Sequence, residues 1–171
     1  MTVTEEVIGH GTWYDKMAVE VVERERKLGR DLGLVRVESG VAASGIPHIG
    51  SLAEVTRNHA VALAIQEQGY NSDFIVFSDD KDGLRSVPAG LPRQLNKYLG
   101  YPVRDIPDPF GCHGSFGEHM VSLLLEAIEA CGIQYTFMSG AEVYERDFLK
   151  NEIEILLENA QRVGEIVREE T

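Results

Sequence analysis

The chain has 171 residues, of which 43% are hydrophobic and 26% are charged, and it carries a formal net charge of −12 at pH 7. This length and composition predict a single globular domain and exclude a disordered or low-complexity chain. The acidic balance argues against strong nucleic-acid binding by this chain alone, because such binding depends on Lys and Arg displacing counterions.

Cysteine content and hydropathy indicate in which cellular compartment the protein is expected. The two cysteines, Cys112 and Cys131, are too few and too unpatterned for a disulfide scaffold, which agrees with a reducing compartment. No apolar run approaches the roughly 20 residues of a membrane helix, and residues 1–10 lack the basic and apolar pattern of a signal peptide. We therefore expect a soluble, cytoplasmic protein with no membrane partner.

The first predicted helix begins after Thr12 and ends near Lys27, where basic residues precede a glycine. A short lead-in over residues 4–11 precedes this helix. Trp13, Met17 and Val21 follow one another at steps of four residues, so we expect them to pack on the buried side of the helix.

A glycine-containing turn between a strand and a helix is the central feature of the sequence. We predict a strand over 34–37, a tight turn over 40–50 and a helix over 51–68. The first turn of a helix presents unpaired N–H groups and a partial positive charge, so this junction favours phosphate binding. His48 and Ser51 lie three residues apart and would reach the same phosphate; in the alternative interpretation, Ser51 only caps the helix.

An acidic turn follows the second predicted strand, residues 74–77. This strand is apolar throughout, which is typical of parallel sheets, and such sheets bind ligands beyond the carboxyl ends of their strands. The residues that should therefore lie beside the 40–50 turn are Ser78, Asp79, Asp80, Asp82 and Arg85. Three interpretations of the carboxylates remain open: a Mg²⁺ site with nucleotide phosphates, a site for the ammonium group of an amino acid, or a solvated turn.

The segment from 87 to 119 combines a proline-rich excursion with a group of ligand-type side chains. The excursion, residues 87–110, has a short helical patch around 93–99, and we expect it to flank or cover the site. Cys112, His113, Glu118 and His119 suggest zinc, but their spacing matches no common zinc motif, so we expect no metal. We favour a loop and helix start whose polar side chains face one pocket, namely His113, Ser115, Glu118 and His119.

The remaining elements complete an alternating order. A helix ends at Gly132, a third strand covers 133–138, and a long helix starts at Leu149 with an apolar stripe that must be buried against something. Helices that alternate with strands predict an α/β fold, here a parallel three-stranded sheet with flanking helices and right-handed crossovers.

Four sequence blocks occur in an order and at a spacing that point to a known family. They are 38–40 with 44–51, 78–88, 98–100, and 106–113 with 115–119. Together they resemble the class I lysyl-tRNA synthetases, and the likeness extends from about Trp13 to the C-terminal helix. The run from His48 to Ser51 is similar to the H-I-G-H signature of class I synthetases.

The resemblance implies that residues 1–171 form one domain, the N-terminal half of a class I Rossmann (HUP-type) catalytic domain. It also implies ATP-dependent activation of lysine and its attachment to tRNA, with His48 and Ser51 stabilising negative charge at the α-phosphate. By this resemblance, ATP with Mg²⁺ is held by Ser44, Gly45, His48, Gly50 and Ser51, and lysine is held by Gly40, Ala42, Asp79 and Asp80. Further pocket candidates are Asp82, Arg85, His113, Ser115, Glu118 and His119.

The sequence departs from the family pattern in residues and in length. Ala42 and Ala43 replace Thr-Pro or Gly-Pro, and the lost hydroxyl at 42 would weaken a substrate hydrogen bond by roughly 0.5–1.5 kcal/mol. Ser51, where the family has Asn or Thr, keeps a hydroxyl. The family's zinc-binding inserts, K-M-S-K-S lysine and anticodon-binding domain are missing from these 171 residues. The resemblance therefore implies slow or undetectable activation and weak or no tRNA binding by this chain alone.

Two functional interpretations follow from these departures. The chain is either a catalytic half-domain that keeps the ATP and lysine contacts, or a noncatalytic binding module derived from the family. It would be a fragment of a full enzyme or a free-standing half-domain. In the usual strand order the first strand pairs on its far side with the second half, so the edge of strand 34–37 should be bare. That edge would accept the remaining synthetase domains or a second copy.

Overall fold

The structure, a computed structural model, describes residues 10–170. The lead-in expected over 4–11 lies outside the described residues up to residue 9. The helices are α1 (Trp13–Lys27), α2 (Ile49–Glu67), α3 (Phe116–Ala130), α4 (Gly140–Glu145), α5 (Lys150–Glu158) and α6 (Ala160–Glu170), and the strands are β1 (Val35–Val41), β2 (Ser72–Ser78) and β3 (Thr136–Ser139). Short 3₁₀ helices lie at Arg93–Tyr98 and Val103–Asp105. Within residues 10–170, no helix combines the length and the apolar content needed to cross a membrane.

The strands found within the described residues form one parallel sheet in the order β1-β2-β3. Val41 pairs with Ser78 and Ser78 pairs with Ser139, so the carboxyl ends of all three strands lie together. These findings confirm the predicted fold class. Because β1 is the outermost strand in this order, its outer edge has no strand partner among residues 10–170.

Helices α1, α2 and α3 cover one face of the sheet. One buried cluster joins α1 and α2 to the start of β1, and a second joins α2 and α3 to the middle of the sheet. In a third cluster, the excursion after β2 packs against α3 and against Ala43, which follows β1. The excursion is therefore an ordered part of the core beside the β1–α2 turn. That turn is shorter than predicted, because β1 continues to Val41 and includes Gly40.

The buried side of α1 differs from the prediction by one position. Trp13 and Met17 are 52% and 41% exposed, whereas Ala18 and Val22 are buried. The prediction that Trp13 packs in the core was therefore wrong. Small side chains such as Ala18 let α1 approach α2 closely, and the large ring of Trp13 lies against Tyr14 at the start of the helix instead.

The C-terminal stripe does not form one buried helix. A break at Asn159 separates α5 from α6, and within the described residues neither helix contributes a buried side chain. Leu156 and Leu157 are 53% and 70% exposed. The stripe predicted to be buried thus has no cover within this part of the chain, although its amphipathic pattern is present.

Candidate functional site

His48 forms the N-cap of α2 and folds its ring over the first turn of that helix. Its Nδ1 atom accepts a hydrogen bond from the backbone N–H of Gly50 at 3.0 Å. The backbone N–H of His48 lies 3.5 Å from Oγ of Ser51, which accepts it. The structure brings the two residues together, and both also cap the helix, so the phosphate and capping interpretations share one geometry.

The hydrogen bond at Nδ1 determines what His48 offers to a ligand. A ring nitrogen that accepts a hydrogen bond carries no hydrogen itself, so the neutral imidazole has its proton on Nε2. The residue is exposed at the positive end of the α2 dipole. His48 can therefore donate a hydrogen bond from Nε2 to an anion while Nδ1 keeps the ring in place.

Two glycines near His48 are required by close contacts. A Cβ at Gly50 would lie 2.8 Å from Cε1 and 2.9 Å from Nδ1 of His48, closer than real Cβ contacts allow. A Cβ at Gly45 would lie 3.1 Å from Cγ of Pro88, so the backbone of the turn contacts the excursion directly. Ser44 and Gly45 both lie in this turn, between β1 and α2.

Asp79 lies beside Gly40 at the carboxyl end of the sheet. Its backbone N–H donates a hydrogen bond to the last residue of β1 at 3.0 Å. Its Oδ2 atom lies 3.6 Å from the position that a Cβ of Gly40 would occupy. Partial burial raises the pKa of Asp79, and the carboxylates of Asp82, Asp80 and Glu54 raise it further. Ala42, the other residue expected to contact lysine, is exposed just after β1.

This concentration of negative charge favours a cation at the end of the sheet. Glu54 belongs to this group of carboxylates, although no sequence motif marks it as a site residue. Its position in the sequence could have identified it. Glu54 lies on α2, six residues after His48, where the helix is still close to the strand ends. Asp82 contributes a carboxylate that is 64% exposed.

Asp80 is buried at the end of β2 and bonded within the fold. The residue is 3% exposed. Its carboxylate accepts hydrogen bonds from Oγ of Ser139 at 2.5 Å and from the backbone N–H of Ala141 at 2.8 Å. These bonds fasten the end of β2 to the β3–α4 junction, and the assignment of Asp80 to lysine binding stays a prediction. The alternation of buried residues along β2 continues through Ser78 to Asp80, which explains why Asp79 and Asp80 point to opposite sides.

The four polar residues that we expected to face one pocket do not all do so. They are His113, Ser115, Glu118 and His119. Ser115 is buried and caps α3, where its Oγ accepts the backbone N–H of Glu118 at 3.1 Å. Glu118 pairs with Arg104 at 2.9 Å, and Arg104 also lies 3.9 Å from the carboxylate of Asp80. Of the four, His113 and Glu118 line a common cavity of about 240 Å³. His119, together with His113, belongs to a group of ligand-type side chains.

That group consists of Asp108, Cys112, His113 and His119, whose ligand atoms all lie within 4.8 Å of one another. His119 Nδ1 lies 3.1 Å from His113 Nδ1, 3.2 Å from Cys112 Sγ and 3.3 Å from Asp108 Oδ2. Zinc bonds of about 2.0–2.3 Å in a tetrahedron would separate ligand atoms by roughly 3.3–3.6 Å. The group therefore fits a tetrahedral zinc ion, against our expectation of no metal.

The surroundings of Asp108 also suit a metal ligand. Its side chain is 1% exposed and accepts the backbone N–H groups of Phe110, Cys112 and His113 at 2.9–3.1 Å. Burial alone would raise the pKa of Asp108, but these N–H groups outweigh burial and hold its pKa well below the usual range. Burial and the nearby Asp108 raise the pKa of the Cys112 thiol. A bound cation would reverse that effect by stabilising the thiolate.

Comparison with known proteins identifies the family. The family model described as tRNA synthetases class I (K) matches residues 11–171. A lysine-tRNA ligase of Cenarchaeum symbiosum is 48% identical over 164 residues, which cover 96% of this chain and 31% of that protein. Lysine-tRNA ligases of Roseobacter denitrificans and Pyrococcus horikoshii are 38% and 36% identical, over 91% of this chain and 29% of each relative. The chain spans less than a third of the length of these curated relatives. It belongs to the class I lysyl-tRNA synthetase family.

Proposed function

We propose that this chain provides ATP and lysine contacts for a class I lysine-tRNA ligase, which activates lysine with ATP and transfers it to tRNA. The observation that carries the proposal is the position of Asp79 beside Gly40, at the same end of the sheet as the His48-capped start of α2. An ammonium group and a phosphate would meet there. We propose that the reaction takes place in the cytoplasm, where ATP and tRNA are available.

The turn and the first turn of α2 would bind ATP. Attack by the carboxylate of lysine on the α-phosphorus concentrates negative charge on the phosphate oxygens. The Nε2–H of His48 and the positive end of α2 would stabilise that charge without covalent chemistry. Ser51 keeps a hydroxyl next to this position, and Gly45 and Gly50 allow the ligand to approach the backbone. Ser44 is the remaining polar side chain of the turn.

The acidic residues would bind the cationic parts of the substrates. Asp79, supported by Glu54, would pair with an ammonium group of lysine, and the absence of a side chain at Gly40 leaves room beside it. Asp82, which is exposed, would contribute a carboxylate oxygen to the Mg²⁺ that accompanies ATP. Mg²⁺ would neutralise part of the charge of the phosphates.

Partners of the chain follow from its charge and its open edge. The net charge of −12 leaves little attraction for tRNA, so we expect weak or no tRNA binding without further polypeptide. The outer edge of β1 would pair with the part of the synthetase that this chain does not span, or with a second copy.

Calorimetry with ATP, together with lysine-dependent ATP–pyrophosphate exchange, tests the proposal. We expect the chain to bind ATP and His48→Ala to weaken that binding, whereas His59→Ala, a change elsewhere on α2, leaves it unchanged. Exchange that depends on His48 supports the catalytic half-domain. ATP binding without exchange supports the noncatalytic module. A chain that binds neither ATP nor lysine contradicts both.

We also propose that Asp108, Cys112, His113 and His119 hold a structural zinc ion. The arrangement has four protein ligands, which is typical of structural rather than catalytic zinc. Zinc would fasten the end of the excursion to the first turn of α3. The excursion is joined in turn to the acidic turn by the bridge between Gly83 and Pro102.

A further inference from the structure

We propose that Arg85 is a phosphate-binding residue for the nucleotide at the His48 turn. This inference rests on the proposed function and adds a cationic side chain to the phosphate-binding part of the site. Arg85 would pair with the phosphates of ATP, so that the chain itself offsets part of their charge.

The position of Arg85 follows from the contacts of its neighbours. Leu84 is buried in the same cluster as Ala43, directly after β1. Pro88 lies 3.1 Å from the Cβ position of Gly45, in the middle of the turn. Because Leu84 belongs to the buried cluster that includes Ala43, and Pro88 lies against Gly45, the residues between them lie beside the turn that leads to His48. Arg85 is the basic residue within that stretch.

The guanidinium of Arg85 has no strong partner of its own within the described residues. Its side chain is 91% exposed, and its contact with Asp82 is 4.0 Å long and solvated, which makes that pair weak. Arg104, by contrast, is held by Glu118 at 2.9 Å. Lys97 lies over the ring of Tyr98, in the excursion's first 3₁₀ helix. Arg85 is thus available to an incoming anion.

The negative charge of the site is a second reason to expect a basic side chain at the phosphates. Residues 42–56 contain no Lys or Arg, and Glu54 is their one charged side chain. Together with Asp79 and Asp82, Glu54 makes the rim of the site negative, which opposes the binding of a triphosphate. An arginine forms paired hydrogen bonds with phosphate and stays charged at all relevant pH values.

Calorimetric titration of the full chain with ATP and with adenosine tests the inference. We expect Arg85→Gln to weaken ATP binding about tenfold, the range of one charge-assisted hydrogen bond, and to leave adenosine binding unchanged. Arg85→Lys should restore part of the ATP affinity. Arg93→Gln, which removes an exposed arginine from the same excursion, is the matched control and should change neither affinity.

The possible results separate this inference from the proposed function. ATP affinity that depends on His48 but is unaltered in Arg85→Gln overturns the role of Arg85 and leaves the ATP site in place. Equal losses for ATP and adenosine also overturn it, because they indicate a structural effect. If the unaltered chain binds no ATP, the proposed function fails and this inference fails with it.

Discussion

The backbone N–H of Gly50 donates a hydrogen bond to Nδ1 of His48, and the imidazole ring occupies the space that a Cβ at position 50 would need. The pair explains why a histidine and a glycine stand two residues apart at this helix start. The ring is oriented by the backbone that it caps, and the glycine is needed for the ring to lie there.

Gly50→Ala should therefore displace the His48 ring and weaken ATP binding. The new methyl group would meet Cε1 at 2.8 Å, so the ring must rotate and lose its hydrogen bond at Nδ1. Calorimetry with ATP measures the effect.

Gly164→Ala on α6 is the control, because nothing lies within 4 Å of its Cβ position. It should stabilise the chain by about 0.5–1 kcal/mol, as alanine does in helices, without changing ATP binding. Equal ATP affinity in the two variants would contradict the ring geometry.

Asp79→Asn should abolish lysine binding and slightly raise thermal stability. The pKa of Asp79 is raised above its ordinary value of 3.8 by partial burial and neighbouring carboxylates, so folding favours the protonated form. That contribution to stability is fully present below pH 3.8 and is lost as pH rises through the raised pKa. At neutral pH the charged group opposes folding, and the amide removes this effect. Thermal melts and lysine titrations measure the two effects, and Asp105→Asn, at an exposed position, is the control. A variant Asp79→Asn that still binds lysine, or that melts at a lower temperature than the parent, would contradict this prediction.

Lysine affinity should also depend on pH in the direction set by Asp79. Protonation removes the negative charge that pairs with ammonium, so affinity should fall as pH decreases through the raised pKa of Asp79. Titrations at several pH values measure this. The dependence should disappear in Asp79→Asn, and an unchanged pH profile in that variant would assign the titration to another group.

Metal analysis of the purified chain should find one zinc ion per molecule. Replacement by Co²⁺ should give the visible absorption of a tetrahedral site with a thiolate ligand. Cys112→Ser should lower the metal content and the melting temperature, because four ligands fasten this loop to α3. Cys131→Ser, at an exposed cysteine after α3, should change neither. A chain that folds fully in chelator and takes up no metal would remove the zinc proposal.

Asp80→Ala should destabilise the fold by about 1–3 kcal/mol, because it leaves the N–H of Ala141 and the hydroxyl of Ser139 without their acceptor. Asp82→Ala, two residues away and exposed, should stay within about 0.5 kcal/mol of the parent. Urea unfolding measures both. Similar midpoints for the two variants would contradict the structural role of Asp80.

The sequence predicted the parts of the fold that repeat a local pattern. Residues 74–77 are apolar without interruption and became the centre of β2, and the glycines around His48 marked the turn to α2. The same alternation, if followed past β2 to residue 80, would have predicted that Asp80 points inward. Local patterns were sufficient there because each depends on neighbours close in the chain.

Other features depend on contacts that no local pattern contains. Asp108 reaches the metal-type group because the loop after it turns back toward α3, and the irregular spacing of the four ligands gives no helical or strand period. The break at Asn159 contains neither a proline nor a glycine from which the sequence could predict it. Glu54 joins the acidic residues only because α2 starts beside the end of β2.

The open side of β1 has a practical consequence for work with this polypeptide. Along this seven-residue strand, the backbone groups that point away from β2 present donors and acceptors that another extended segment can match. The property that would let another part of a synthetase extend the sheet would also let identical molecules associate edge to edge. The isolated chain should therefore stay monomeric longer at low protein concentration.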